Sequence, residues 1–271
     1  MVDTGRTRPR AAHSSDRHSQ ARRRRSAPTT VGGLLREAVV VLVVALVLAS
    51  LLRAFVVQAF VIPSGSMEDT LDINDRVVVS KLTTRIGGVD RGEVVVFSDP
   101  DNWLLAEPVA QTPTGAGGAV RRGLQFVGLV PNDAQGHLIK RVIGVAGDRV
   151  QSDAQSRVRV NGQVLAESDY LKPGVNPTDC TFDVTVPAGS VFVLGDNRSN
   201  SGDSRYHAAD RNGGMVPLGL VTGRAVARVW PVGRIGGLGV PSTFQTVPAP
   251  SAASRDAAAQ PAAPGASACS R

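Results

Sequence analysis

The feature that most limits how this chain can fold is Ala38–Leu52, AVVVLVVALVLASLL, fifteen consecutive residues without a charge. A helix over this run is apolar all round and has no polar face to turn to water, unlike a surface helix of a globular domain. Fifteen residues rise about 22 Å, short of the ~30 Å hydrocarbon core of a bilayer. Arg53 can snorkel, and AFVVQAFVI continues the apolar surface to Ile62. The run therefore reads as a membrane-spanning anchor over residues 36–57. A cleavable leader is the rival, because VLA before Ser50 resembles an A-x-A processing site. The long segment ahead of it and the apolar residues beyond it favour an uncleaved anchor.

Charge sets the expected orientation. Residues 1–36 hold nine Arg against Asp3 and Asp16, whereas the rest of the chain carries 21 basic and 21 acidic side chains. The formal charge of +7 thus resides in the N-terminal tail. Positive charge before the anchor and little just after it place the N-terminus in the cytoplasm and the body outside. A neutral body offers no broad basic face to phosphate backbones, so no nucleic-acid partner is expected. Residues 1–35, rich in Arg and Ser, read as a disordered cytoplasmic tail whose RRRR at 22–25 flanks the membrane.

The body, residues 58–242, reads as β-branched segments between turns: RVVVSKL, GEVVVFS, HLIKRVIGV, RVRVNGQVL, SVFVLGD and GRAVARVWP. Asn161–Gly162 is a hairpin signal. No ten-residue amphipathic helix interrupts these segments, so the alternation of a parallel sheet is missing. The fold class is mainly β, an antiparallel and partly barrel-like domain behind one transmembrane helix. Residues 99–136 read as an insertion loop, and 243–271 as a disordered Ala/Pro tail. Cys180 and Cys269 are the two cysteines; with one of them in that tail, no disulfide framework is expected. No CxxC or HExxH cluster occurs, so neither a metal nor another cofactor is expected.

FVIPSGSMEDTL, residues 60–71, carries two serines around a glycine. A serine needs a base to act as a nucleophile. His13 and His18 lie in the N-terminal tail, which leaves His137 and His207, the latter near Asp203 and Asp210, as histidine candidates. The lysine option is narrower, because the chain uses 27 Arg but three Lys: Lys81, Lys140 and Lys172. A buried lysine can give up its proton, whereas arginine does not. Lys172, in YLKPG, reads as a solvated charge, and Lys81 closes a strand. Lys140 stands in an apolar strand, where it and Arg141 point to opposite faces, one toward the domain and one away. Local sequence alone leaves Lys140 open between a base and an edge-strand gatekeeper.

PSGSM with EDTL, RGEVVVFSDP, KRVIGVAGDRV and GDNRSNSGDSRYH follow one another after a single anchor. This succession resembles the bacterial type I signal peptidases. The resemblance spans Arg36 to Pro231. It implies a membrane-bound Ser/Lys endopeptidase that removes signal peptides from secreted precursors at the bilayer surface, after small residues at the first and third positions before the cut. It assigns Ser66 as nucleophile, Lys140 as general base, and Ser64 as an oxyanion donor beside the Ser66 backbone N–H. Ser201 would orient the lysine, Arg141 would follow the base, and Asp203 with Arg205 would support the site from beneath. Asp196, Asn197 and Arg198 would shape the same loop. Ile62, Met67 and Ile139 would line the substrate pockets. Asp69 stands where the family usually has proline, and Ala146 where Leu-Pro is common. A self-cleaving repressor-type protease would need an N-terminal DNA-binding element, which residues 1–36 do not offer. An anchored binding module would leave Ser66 and Lys140 as surface residues.

Overall fold

The computed structural model describes residues 31–104, 136–153, 155–260 and 269. The expected cytoplasmic tail, apart from residues 31–35, and most of the insertion lie outside these residues. Helix α1 runs from Val31 to Phe55, 25 residues, and is exposed from Val31 to Ala45. At 1.5 Å per residue its length is about 37 Å, enough to cross a bilayer. It starts earlier than the anchor expected at residue 36 and includes Gly32 and Gly33.

The body holds two antiparallel sheets. The larger has eight strands: β1 (Val57–Val61), β2 (Arg76–Ser80), β3 (Val94–Ser98), β4 (His137–Gly144), β9 (Ser190–Leu194), β10 (Val216–Pro217), β11 (Val221–Trp230) and β12 (Gly236–Gly237). Its order is β1-β2-β11-β3-β4-β9-β10, with β12 on β11. The smaller sheet orders β7 (Gln163–Val164), β6 (Val158–Val160), β5 (Arg149–Ser152) and β8 (Asp183–Thr185). Both are open at their ends, so the expected antiparallel β body is present without a closed barrel. A short helix α2 (Lys81–Ile86) follows β2.

All six β-branched segments contain strands at nearly the expected positions. In β2 the alternation is plain: Val77 and Val79 are fully buried while the residues between are half-buried or exposed. Asn161 (φ 51°) and Gly162 (φ 85°) turn the chain between β6 and β7 with both residues left-handed, the geometry that makes Asn-Gly a hairpin signal. Strand β1 corrects the reading of AFVVQAFVI as an extension of the anchor. Its Gln58 and Phe60 are buried and it pairs with β2 from Val57↔Ser80 to Val61↔Arg76.

Strand β4 sits inside the sheet between β3 and β9 and is covered on both faces. Ile139 joins one cluster with Phe60, Ile62 and Met67; Leu138 and Val142 join another with Phe97 and Val193. Lys140 and Arg141 are consequently both buried, at 3% and 2% exposure. The expectation that one would face away fails because β4 has no solvent face, and the edge-strand role for Lys140 goes with it.

The C-terminal segment differs most from expectation. Phe244 and Val247 are buried in the core of the smaller sheet, and helix α3 (Ala252–Ala258) is capped by Ser251. The Ala166 amide donates to Thr243 Oγ1 (2.8 Å) and the Ala188 amide to the Ala258 carbonyl (2.8 Å). Cys180 and Cys269 are bridged, with Cα atoms 5.1 Å apart. The disordered tail expected from residue 243 therefore does not hold over residues 243–260, and the two cysteines are joined although no disulfide framework was expected. Phe244 and Val247 together with these hydrogen bonds seat residues 242–260.

Candidate active site

Ser66 lies in a 3-10 turn, Gly65–Met67, entered from β1 through Pro63 and an extended Ser64 (φ −129°). Ile62 N–H donates to Asp75 O (2.9 Å) and Asn74 N–H to Ile62 O (2.8 Å), which fastens the exit of β1. From β4, Lys140 Nζ reaches Ser66 Oγ at 2.6 Å. These residues stand 74 apart in sequence, and both are buried, Ser66 at 5% exposure. They are not the surface residues that a binding module would have.

A cleft of about 260 Å³ opens onto this pair, with Ile62, Ser64 and Ile139 in its lining beside Phe60, Val96, Trp103 and Leu138. Met67 is absent from the lining: it is fully buried behind the turn, packed with Leu71 and Phe60. Its expected place in a substrate pocket is thus not met.

The loop after β9 forms the floor. Asn197 N–H donates to Ser66 O (3.1 Å), and Gly195 lies so close that a Cβ there would sit 2.5 Å from the same oxygen and overlap the Ser201 hydroxyl. Ser201 Oγ is buried with no hydrogen-bond partner in good geometry. The expected bond from Ser201 to Lys140 is therefore not formed in this arrangement. Asp203 and Arg205 do pair, Nε–Oδ1 at 2.8 Å and Nη2–Oδ2 at 2.9 Å, and the Gly195 amide donates to Asp203 Oδ2 at 3.1 Å. Burial pushes the Asp203 carboxyl up, but Arg205 and the Gly195 N–H outweigh it and hold it below the usual value, with Ser201 adding weakly.

Arg141 points to the other face of β4. It forks onto Asp196 (2.9 and 2.6 Å), donates to Gly92 O (2.8 Å) and stacks over Tyr170 at 4.5 Å. It is a brace for the loop and does not reach Ser66. Arg198 likewise pairs with Glu167 (2.5 Å) and donates to Gly195 O (2.9 Å). Burial would lower the Arg198 guanidinium, yet Glu167 raises it above its ordinary value. Burial first and Glu167 second push the Tyr170 phenol well above its ordinary value, so it stays protonated and donates to Glu167 Oε1 (2.6 Å). Sequence reasoning missed Glu167 and Tyr170, whose spacing in ESDYL signals nothing until the loop folds against them.

The histidine alternative does not assemble. His207 Nδ1 meets Asp210 at 2.9 Å and its ring stacks on Trp103 (4.3 Å, 12°), while Trp103 Nε1 donates to Asp210 (3.0 Å). His137 borders the cleft with its ring 5.3 Å from Phe60. The side chain bonded to Ser66 Oγ is Lys140, not either histidine. Lys172, expected as a solvated charge, remains partly exposed but is also paired, with Glu68 at 2.6 Å. Asp69, at the position of the usual proline, has φ +87°, a value closed to proline and tolerated by aspartate.

Among the described residues, no group of three or more His, Cys, Asp or Glu side chains could hold a metal ion. The site sets a serine hydroxyl beside a lysine amine in a cleft lined by both apolar and polar groups.

A family model described as signal peptidase, peptidase S26, matches residues 35–230. A probable signal peptidase I of Mycobacterium leprae is 37% identical over 231 residues, 76% of this chain and 79% of that protein. A signal peptidase I of Mycobacterium tuberculosis is 38% identical over 221 residues, 74% of each. A probable signal peptidase I-2 of Synechocystis is 38% identical over 195 residues, 72% of this chain and 73% of that protein.

Proposed function

The chain belongs to the signal peptidase family, peptidase S26, and we propose that it is a type I signal peptidase, a serine endopeptidase working by a Ser66–Lys140 dyad. The observation that carries the residue assignment is the 2.6 Å approach of Lys140 Nζ to Ser66 Oγ in a cleft that both residues line. The substrates are precursors bearing signal peptides, which the bilayer presents to the enzyme in one plane. Shared anchoring turns a three-dimensional search into a fixed approach.

Ser66 Oγ attacks the scissile carbonyl carbon while its proton passes to the neutral Lys140 amine. Lys140 is 3% exposed and its Nζ already lies on the hydroxyl it is to deprotonate. Negative charge on the carbonyl oxygen is met by the Ser66 N–H and the Ser64 hydroxyl, a pair flanking Gly65. Lys140 returns the proton to the leaving amine as the C–N bond breaks and an acyl-enzyme forms. It then takes a proton from water, which attacks the ester, and passes it to Ser66 Oγ as the acyl C–O bond breaks and the signal peptide leaves. The Ser201 hydroxyl, buried beside Asp203, is suited to meet the lysine once it is charged. A bond made only in that state lowers the barrier rather than the ground state.

Ile62 and Ile139 leave shallow apolar room that favours small side chains before the cut. Extended substrate adds as a strand, its backbone pairing and alternate side chains entering the cleft. The body lies outside the cytoplasm. Arginine in the N-terminal segment supports this orientation, and so does the Cys180–Cys269 bridge, since disulfides persist in oxidising compartments.

Cleavage of a precursor carrying an A-x-A site, by full-length protein in detergent, tests the proposal. Wild type cleaves; Ser66→Ala and Lys140→Arg do not, the second because guanidinium does not take the serine proton. Activity in Lys140→Arg, or an acid limb removed by replacing His137 or His207, overturns the dyad.

A further inference from the structure

Lys172 is one of three lysines in an arginine-rich chain, and its Nζ meets Glu68 Oε2 at 2.6 Å, two residues past the nucleophile. The same oxygen accepts from Asn197 Nδ2 at 3.0 Å, and Nδ2 also donates to Gly65 O at 3.0 Å. An amide nitrogen carries two protons, so both are engaged. Asn197 Oδ1 accepts from Ser199 Oγ at 3.0 Å, which leaves the side chain a single orientation. Glu68 folds back over Gly65 so tightly that a Cβ there would lie 2.6 Å from Oε1. On the far side, the Lys172 amide donates to Asp196 O at 3.1 Å, next to Asn197.

The bond to Gly65 O reaches beyond packing because of peptide planarity. Gly65 C=O and Ser66 N–H belong to one rigid trans unit and point in opposite directions. Fixing the carbonyl on one side aims the N–H on the other. That N–H is the backbone donor to the oxyanion in the proposed mechanism, and donors there act through their preset direction.

We infer that Glu68, Lys172 and Asn197 form a positioning clamp that aims the Ser66 N–H at the developing oxyanion. Asn197 adds a side-chain bond to the one that the Glu68 N–H of the turn gives the Gly65 carbonyl (3.2 Å), Glu68 fixes which way its amide faces, and Lys172 holds Glu68 in place. The clamp rests on the Ser66–Lys140 reading. The Lys172 and Glu68 side chains are 40% and 30% exposed, so the pair contributes little to stability and its effect appears in turnover.

The test measures kcat, KM, pH profile and melting temperature of full-length protein in detergent, on a precursor peptide. Asn197→Leu should lower kcat about 100-fold, the value of one misaimed oxyanion donor, and Glu68→Ala about tenfold, a part of it. KM should stay within about twofold, because the lost interaction belongs to the transition state. The shape of the pH profile should not change, since Lys140 is untouched. Glu68→Gln keeps an acceptor oxygen for Asn197 and should recover most of the loss. The swap Glu68→Lys with Lys172→Glu restores the ion pair but offers Asn197 no acceptor, so it should be as slow as Glu68→Ala. A merely structural ion pair predicts the reverse, with the swap rescued. Rescue by the swap, or a folded Glu68→Ala protein with wild-type kcat, overturns the clamp. If Ser66→Ala remained active, the dyad itself would fall, a result separable from failure of the clamp alone.

Discussion

Gly195→Ala concentrates the site's geometry in one methyl group. The added Cβ would overlap the Ser201 hydroxyl and lie 2.5 Å from the Ser66 carbonyl oxygen, where real Cβ atoms essentially never come within 3.0 Å. Neither neighbour yields easily: Ser201 is 1% exposed, and Ser66 O is held by Asn197 N–H at 3.1 Å. Relief to ordinary contact near 3.4 Å moves the nucleophile's own backbone by up to about 1 Å. Overpacking of this kind costs about 1–3 kcal/mol, or roughly 2–12 °C in Tm for a body of this size. Misplacement by about 1 Å costs around 100-fold in rate. The assay is kcat on an A-x-A precursor peptide together with Tm, for Gly195→Ala and for Gly195→Ala combined with Ser201→Gly. The second change removes the overlap with Ser201 and leaves the approach to Ser66 O. Stability should partly return while kcat stays low. A Gly195→Ala enzyme within threefold of wild type, or full recovery of kcat in the combined variant, would refute the view that this close approach sets the Ser66 position.

Three further outcomes are expected. Ser64→Ala should fold normally and lower kcat by roughly 10²- to 10³-fold, with little change in KM; an unchanged kcat removes Ser64 from the oxyanion site. Asp203→Asn should destabilise the body by about 3–5 kcal/mol in urea unfolding, because it strips the buried Arg205 of its partner carboxylate. The Asp203 carboxyl is held below its ordinary value, so its contribution to stability is complete above about pH 4 and is lost as pH falls through the lowered folded value. The variant should therefore lose stability less steeply below about pH 4, and an identical acid slope would contradict the shift. For topology, protease added to intact spheroplasts should remove a C-terminal epitope and spare an N-terminal one; the opposite pattern reverses the orientation.

Sequence by itself determined what depends on local periodicity and residue type. Ala38–Leu52 could only be an apolar helix, β-branched runs such as Arg76–Ser80 could only pack as strands, and Asn161–Gly162 could only turn. Ser66 and Lys140 were legible as a candidate pair through the motif order that carries the family resemblance; the rarity of lysine narrowed the choice of base but left it open. Tertiary structure decided the rest, since each remaining question turns on contacts between distant segments. Arg141 is as buried as Lys140 because β3 and β9 flank β4 and both of its faces are covered, and strand alternation cannot report a second covering layer. Lys172 looks like a solvated turn residue until Glu68, 104 positions away, closes on it. Phe244 and Val247 are isolated in an Ala/Pro stretch whose composition resembles disorder, yet the smaller sheet's core accepts both, and Cys269 is bridged to Cys180. Composition averages over a window, whereas burial is won by single side chains that find a matching surface, and that surface exists only once the sheets have formed.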